Sequence, residues 1–268
     1  MTALATPTGT GRSTPPWVRS LHYWIAQYRR TWRGSITTSF LYPVLYLAAM
    51  GVGLGSLVNH HVHSVGGVRY LDFLAPGLLA STAMQIGGNE AMYPVMAAMK
   101  WLRTYFAMLA TPLTVLDVLI GHLAWIALRL LMVTTIYLLV MAAFGTVHSA
   151  LAVLAIPVGI LTGMAFAAPI AAFAATQLND TAFTTIYRLG LIPLFLFSGT
   201  FFPIGQLPGW LQPVAQATPL YHGVALCRGL ALGHLAAGPA AAHLAYLVVV
   251  SALGFAVATT TYRRRLIT

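Results

Sequence analysis

LTVLDVLIGHLAWIALRLLMVTTIYLLVMAA, residues 113–143, decides the class of this chain. Apart from Asp117, His122, Arg129 and a few hydroxyls, the run is apolar from end to end. A helix of about 20 residues crosses the hydrocarbon of a bilayer. This run is longer, which predicts a helix that tilts within the membrane or projects beyond it. Five further stretches share its character: residues 40–58, 73–92, 150–175, 183–202 and 239–261. The sequence therefore predicts an all-α polytopic membrane protein with six transmembrane helices. Composition agrees. Of 268 residues, 59% are hydrophobic and only 7% are charged, against about a quarter charged in an ordinary soluble domain. A soluble chain this apolar could not cover its own surface, so lipid must solvate much of it.

The net charge of +10 does not indicate nucleic acid, because the cations are not gathered into a patch. Arg12, Arg19, Arg29, Arg30 and Arg33 precede the first span, Lys100 and Arg103 separate the second from the third, and Arg263, Arg264 and Arg265 follow the sixth. With six spans these fall on one side, leaving Arg69 and Arg228 on the other. Positive residues accumulate on the cytoplasmic side, so both termini are expected there, in a bacterial inner membrane. Cys227 is alone and predicts no disulfide. The first 36 residues hold no apolar run followed by a small-residue cleavage site, so the first span is expected to act as its own insertion signal.

Residues 1–16 are rich in Thr, Gly and Pro and read as a disordered tail. In residues 17–33, Trp17, Leu21, Trp24, Tyr28 and Trp32 recur at helical spacing, with arginines mostly elsewhere on the wheel. That pattern predicts an amphipathic helix lying in the membrane interface, with Gly34 as a loose joint before the first span. Residues 203–238 are apolar but interrupted by Pro and Gly, which fits helices dipping in from the outer side and too broken to span.

Residues 92–112 are the most informative short segment. Trp101, Leu102, Tyr105, Phe106, Met108 and Leu109 repeat with helical period up to the Thr111–Pro112 break. One reading is another interfacial helix; the other is a helix that docks into a groove of a soluble partner.

Candidate chemistry is sparse. Asp72, Glu90, Asp117 and Asp180 are far apart in sequence, and no phosphate-binding loop, HExxH or GxSxG is present. ATP hydrolysis by this chain is therefore not expected. His60, His61 and His63 could hold a metal in a membrane enzyme, or simply form a solvated loop; His122, His222 and His243 are isolated. Glu90, Arg129 and Arg188 are charges within or beside spans and so are functional candidates. Glu90 could pair with a cation of the docking loop, and Arg129 with backbone carbonyls or an acid on another helix. Together with Asp117 they motivate an alternative, a proton-driven secondary transporter. GVGLGS, residues 51–56, sits in a span and reads as close packing or a hinge rather than a nucleotide site.

The ordered stretches FLAPGLL (73–79), LATPLT (109–114) with Gly121 following, SGTFFPIGQLP (198–208), ATPLYHGVALCRG (217–229) and YRRRLI (262–267) resemble the membrane subunit of ABC-2 type exporters. The resemblance is nearest the branch of nodulation lipo-oligosaccharide and daunorubicin-resistance permeases. It implies a permease dimer with two ATP-binding cassette subunits that carry ATP and Mg, and export of a drug, lipid or glycolipid. Residues 17–33 would be the family's elbow helix, 203–233 its outer re-entrant hairpin, and 100–110 its coupling helix. The coupling residues implied are Lys100, Trp101, Arg103, Tyr105, Phe106, Met108 and Leu109. This family often carries an acid within that segment, where Phe106 stands here, so docking is expected to rely more on apolar contact. The first, second and fifth spans would line the cargo path, with Met50, Met84, Gln85, Phe195, Phe197, Phe201 and Phe202 as candidate contacts.

Overall fold

Pro16 opens the first helix, where its missing N–H costs nothing and its fixed φ favours the turn. In the computed structural model, which describes residues 14–54 and 67–267, this helix (α1, Pro16–Tyr46) runs unbroken through Gly34 and continues as a π-helical stretch, Leu47–Leu54. The expected joint at Gly34 is therefore corrected. A single glycine costs a helix only about 1 kcal/mol, too little to stop one whose early turns are fixed by packing. Those turns present Ser20, Trp24 and Tyr28, spaced i, i+4, i+8, to a later helix (α4, Val115–Ala143). Residue numbers rise together along the pair, so α1 starts parallel to α4 and stands against it. The contact is close because position 121 is glycine: a Cβ there would meet the Ser20 Cβ at 2.4 Å.

Helix α2 (Tyr70–Met96) passes through a π-helical turn (Ala97–Trp101) into the short α3 (Thr104–Leu109) and then α4. After α4 come a 3-10 turn (Ala150–Leu154) and α5 (Ala155–Ala174). Next, α6 (Thr181–Thr185) leads through a π-helical stretch (Ile186–Leu191) into α7 (Ile192–Phe197). Two short helices, α8 (Gln212–Gln216) and α9 (Pro219–Leu232), precede the long α10 (Ala237–Ile267). The described residues contain no β-strand. Among the described residues three helical stretches are long and apolar enough to cross a membrane, Val115–Ala143, Ala150–Ala174 and Ala237–Ile267, and Thr181–Phe197 is a shorter apolar one. The expected fifth span, 183–202, is helical only to Phe197.

Helix α5 lies at the centre, packed by α2, α4, α9 and α10. Lipid tails are as apolar as leucine, so helices in a membrane associate by close approach at small residues. At the α2–α5 crossing a Cβ on Gly87 would lie 2.4 Å from the carbonyl oxygen of Gly163, which is backbone and cannot swing aside. Gly87→Val is expected to force these helices apart and cost about 1–3 kcal/mol. A lower thermal midpoint of the purified protein would show it; an unchanged midpoint would contradict the packing.

Both described ends of the chain meet at one end of the bundle. The rings of Trp24 and Tyr105 lie 6.4 Å apart, and those of Tyr105 and Tyr262, near the end of α10, 5.8 Å apart. At the opposite end Asp72 accepts from Arg69 Nε at 2.8 Å, and His148 Nε2 lies 3.2 Å from it. Helix α9 begins inside the bundle, with Gly223 against Thr162, and reaches that opposite end, where the His148 N–H donates to the Ala231 carbonyl at 3.0 Å. The irregular stretch before it is held by protein. The Ser81 and Thr200 hydroxyls lie 2.8 Å apart, and Arg228 donates to the carbonyls of Phe73 (3.0 Å) and Gly199 (2.8 Å).

Candidate functional site: the 97–114 segment and the cavities beside it

Between the π-helical turn and α3, Arg103 takes a left-handed conformation with φ 54° and ψ 26°, the one positive φ outside glycine among the described residues. A side chain held there costs about 1–2 kcal/mol, so the surrounding packing must impose it. The reversal sets the direction of α3, along which neighbouring side chains point to different sides as in any helix. Tyr105 is 0% exposed, whereas Trp101 is 53%, Leu102 62% and Phe106 38% exposed. Met108 and Leu109 are half-buried, with Met108 Sδ accepting from the Ser20 hydroxyl at 3.8 Å. Arg103 lies over the Phe106 ring at 5.6 Å, and Lys100 Nζ donates to the Leu178 carbonyl at 2.7 Å, tying the segment to the α5–α6 connection.

Tyr105 is the inner fastening. Its hydroxyl is hydrogen-bonded to His122 Nδ1, and the imidazole stacks on Trp24 with centroids 4.1 Å apart. Burial pushes the Tyr105 phenol well above its ordinary range, so it acts as a neutral hydrogen-bonding group. One side chain thus joins α3 to α1, α4 and α10. Placing Tyr105 with Phe106 in one docking set needs correction, because it cannot reach a partner. Leu102, outside that set, is the most exposed apolar side chain of the segment.

Helix α4 starts on a reciprocal cap. The Asp117 N–H donates to the Thr114 hydroxyl at 3.2 Å, and the Asp117 carboxylate accepts from the Thr114 N–H at 2.9 Å and hydroxyl at 2.6 Å. That gives Asp117 a structural task as a helix cap. Among the described residues Glu90 pairs with no docking-loop cation. Its Oε1 instead accepts from Arg129 Nε at 3.3 Å, while Arg129 Nη1 donates to the Tyr28 hydroxyl at 2.8 Å and its guanidinium lies 4.7 Å from the Tyr28 ring centre. Arg129→Gln leaves Glu90 without its cation and should cost up to about 3 kcal/mol. Adding Glu90→Gln should recover part of that loss in a double-mutant cycle; purely additive losses would show that the pair is not coupled.

Arg129 separates two cavities. One, about 350 Å³, lies between α1, α2 and the 97–104 segment; the other, about 280 Å³, lies deeper, between α1, α2, α4 and the α6–α7 stretch. Gln85 and Phe195 line the deeper one together with Tyr46, Asn89, Tyr137 and Tyr187, and it adjoins a third, of about 300 Å³, through Tyr46, Gln85, Tyr187 and Phe195.

The ABC-2 type transporter family model matches residues 20–232. The chain belongs to this family. It is 34% identical over 250 residues to nodulation protein J of Rhizobium leguminosarum bv. viciae, covering 91% of this chain and 95% of that one. It is 33% identical over 254 residues to nodulation protein J of Rhizobium meliloti (91% and 94%), and 32% over 251 residues to that of Bradyrhizobium diazoefficiens (91% and 94%).

The remaining candidates of this ABC-2 type transporter divide into three groups. Met84 is fully buried and lines neither of these two cavities. Met50 is half-buried against the core; Phe201 packs on Phe195 at 4.9 Å; Phe197 and Phe202 lie away from the deeper cavity, and Arg188 is exposed. His60, His61 and His63 lie outside the described residues. His222 and His243 are brought together, Nδ1 to Nδ1 at 2.7 Å, where α9 meets α10.

Proposed function

We propose that this ABC-2 type permease is the membrane subunit of an ATP-binding cassette exporter, driven by a separate ATPase that carries ATP and Mg. It works as a dimer, with six spans per copy and both termini in the cytoplasm of a bacterium, and moves a hydrophobic or amphipathic cargo (drug, lipid or glycolipid) outward. The carrying observation is the 97–109 segment. Trp101, Leu102 and Phe106 are exposed beside Lys100 and Arg103, while Tyr105 on the same element is locked into three other helices. An exposed apolar face on a rigid internal handle is what a pushing partner needs. The sequence supports the division of labour, since it holds no phosphate-binding loop.

The deeper cavity is the proposed cargo path, with the amide of Gln85, the hydroxyls of Tyr46 and Tyr187 and the ring of Phe195 giving it mixed polarity. Proteoliposomes carrying this permease with its cassette ATPase should move cargo only when ATP is supplied. Flux without any ATPase that collapses with the proton gradient would instead establish secondary transport.

A further inference from the structure

The cavity of about 350 Å³ beside the coupling segment shares only Trp101 and Leu102 with the proposed docking face. Its size is in the range of small-ligand sites, roughly 300–1,000 Å³. Six aromatic residues line it: Tyr23, Trp24, Tyr28, Tyr93, Trp101 and Trp125. At its inner wall stand Glu90 and Arg129, paired at 3.3 Å. Each keeps an open polar atom. Only Oε1 of Glu90 is engaged, and Arg129 uses Nε and Nη1, leaving Glu90 Oε2 and Arg129 Nη2 without partners among the described residues. Two further polar groups on lining residues, the Trp24 indole N–H and the Thr104 hydroxyl, are buried and also lack partners among the described residues.

We propose that this cavity binds the headgroup of a zwitterionic phospholipid, its ammonium against Glu90 and the aromatic faces and its phosphate against Arg129. The charge pattern selects this class. A ligand with one charge would meet its own sign at either Glu90 or Arg129, whereas a headgroup carrying both lies antiparallel to the pair and satisfies each. Aromatic faces hold ammonium groups through their quadrupole, and indole and phenol side chains suit the boundary between headgroup and hydrocarbon. Tyr93, outside the docking face, is exposed at the rim of the cavity, where acyl chains would leave it. The inference rests on the proposed placement of this end of the bundle at the cytoplasmic membrane surface, but it does not require the lipid to be the cargo.

The test uses the purified, delipidated full chain without any ATPase, so its failure leaves the transport reading untouched. Native mass spectrometry would follow titration with dioleoyl phosphatidylethanolamine and with dioleoyl phosphatidylglycerol, which keeps the phosphate and lacks the ammonium. The expected result is at least tenfold tighter binding of phosphatidylethanolamine. Glu90→Gln should remove that preference, and Tyr93→Ala, checked for a normal thermal midpoint because Tyr93 also packs edge-to-face on Phe183 at 5.4 Å, should weaken the same lipid several-fold. Equal affinity for the two lipids would overturn the proposal, as would a preference that survives both substitutions. Displacement of the lipid by soluble phosphoethanolamine at comparable concentration would also overturn it, since the acyl chains would then contribute nothing.

Discussion

Replacing Trp101, Leu102 and Phe106 together by Ala is expected to leave a chain that inserts and folds normally but neither exports cargo nor stimulates its ATPase. All three side chains are exposed, and among the described residues none makes a hydrogen bond that holds the fold. Surface substitutions of this kind usually change stability by no more than about 0.5 kcal/mol. At an interface the same residues carry far more. A central aromatic anchor removed to Ala commonly costs about 2 kcal/mol or more, roughly thirtyfold in affinity. The measurements are the thermal midpoint of the permease alone and the ATPase rate of the complex at limiting permease. A normal midpoint with normal stimulation would remove this face from the coupling mechanism.

Tyr105→Ala should behave in the opposite way. The phenol is fully buried, hydrogen-bonded to His122 and packed on Trp24 and Tyr262. Truncating a buried aromatic leaves a cavity and costs about 3–5 kcal/mol, so the isolated chain should show a clearly lower midpoint before any partner is added. Tyr105→Phe fills the same space but leaves the imidazole without its hydrogen bond, at about 1–3 kcal/mol. The order Ala, then Phe, then Phe106→Ala, from most to least destabilising, separates a fastening from a docking residue one position away. If Phe106→Ala destabilises as much as Tyr105→Ala, the assignment of inner and outer faces is wrong.

The class of the fold was legible because lipid solvation leaves a gross mark. The long apolar runs at 113–143, 150–175 and 239–261 coincide closely with helices Val115–Ala143, Ala150–Ala174 and Ala237–Ile267. Gly34 misled because glycine sets a small local cost, whereas α1 is held by long-range contact with α4, visible only once Ser20 is seen against Gly121. The coupling segment was legible as a helix with an apolar face, but not in its orientation. Helical period assumes one continuous wheel, and the left-handed turn at Arg103 breaks it, so Trp101 and Leu102 are not in register with Tyr105 and Phe106 on α3.

The ion pair of Arg129 with an acid on another helix was readable from the cost of an isolated charge in a span. The identity of that acid was not, since sequence spacing does not show that Glu90 of α2 stands beside Arg129 of α4. Tyr46, Tyr137 and Tyr187 carried an unused signal. A phenol within an apolar run needs a polar neighbour or a cavity, and all three line the same one.

In the proposed mechanism the partner's ATP energy enters through the outer face of the 97–109 segment. A photo-crosslinking amino acid placed in turn at positions 102 and 106, in membranes holding the complete exporter, tests it most directly. An adduct with the ATP-binding cassette subunit is expected from both positions, and none from position 210 at the exposed Trp210, in the loop that precedes α8. An adduct with that subunit from position 210 and none from 102 or 106 would contradict it.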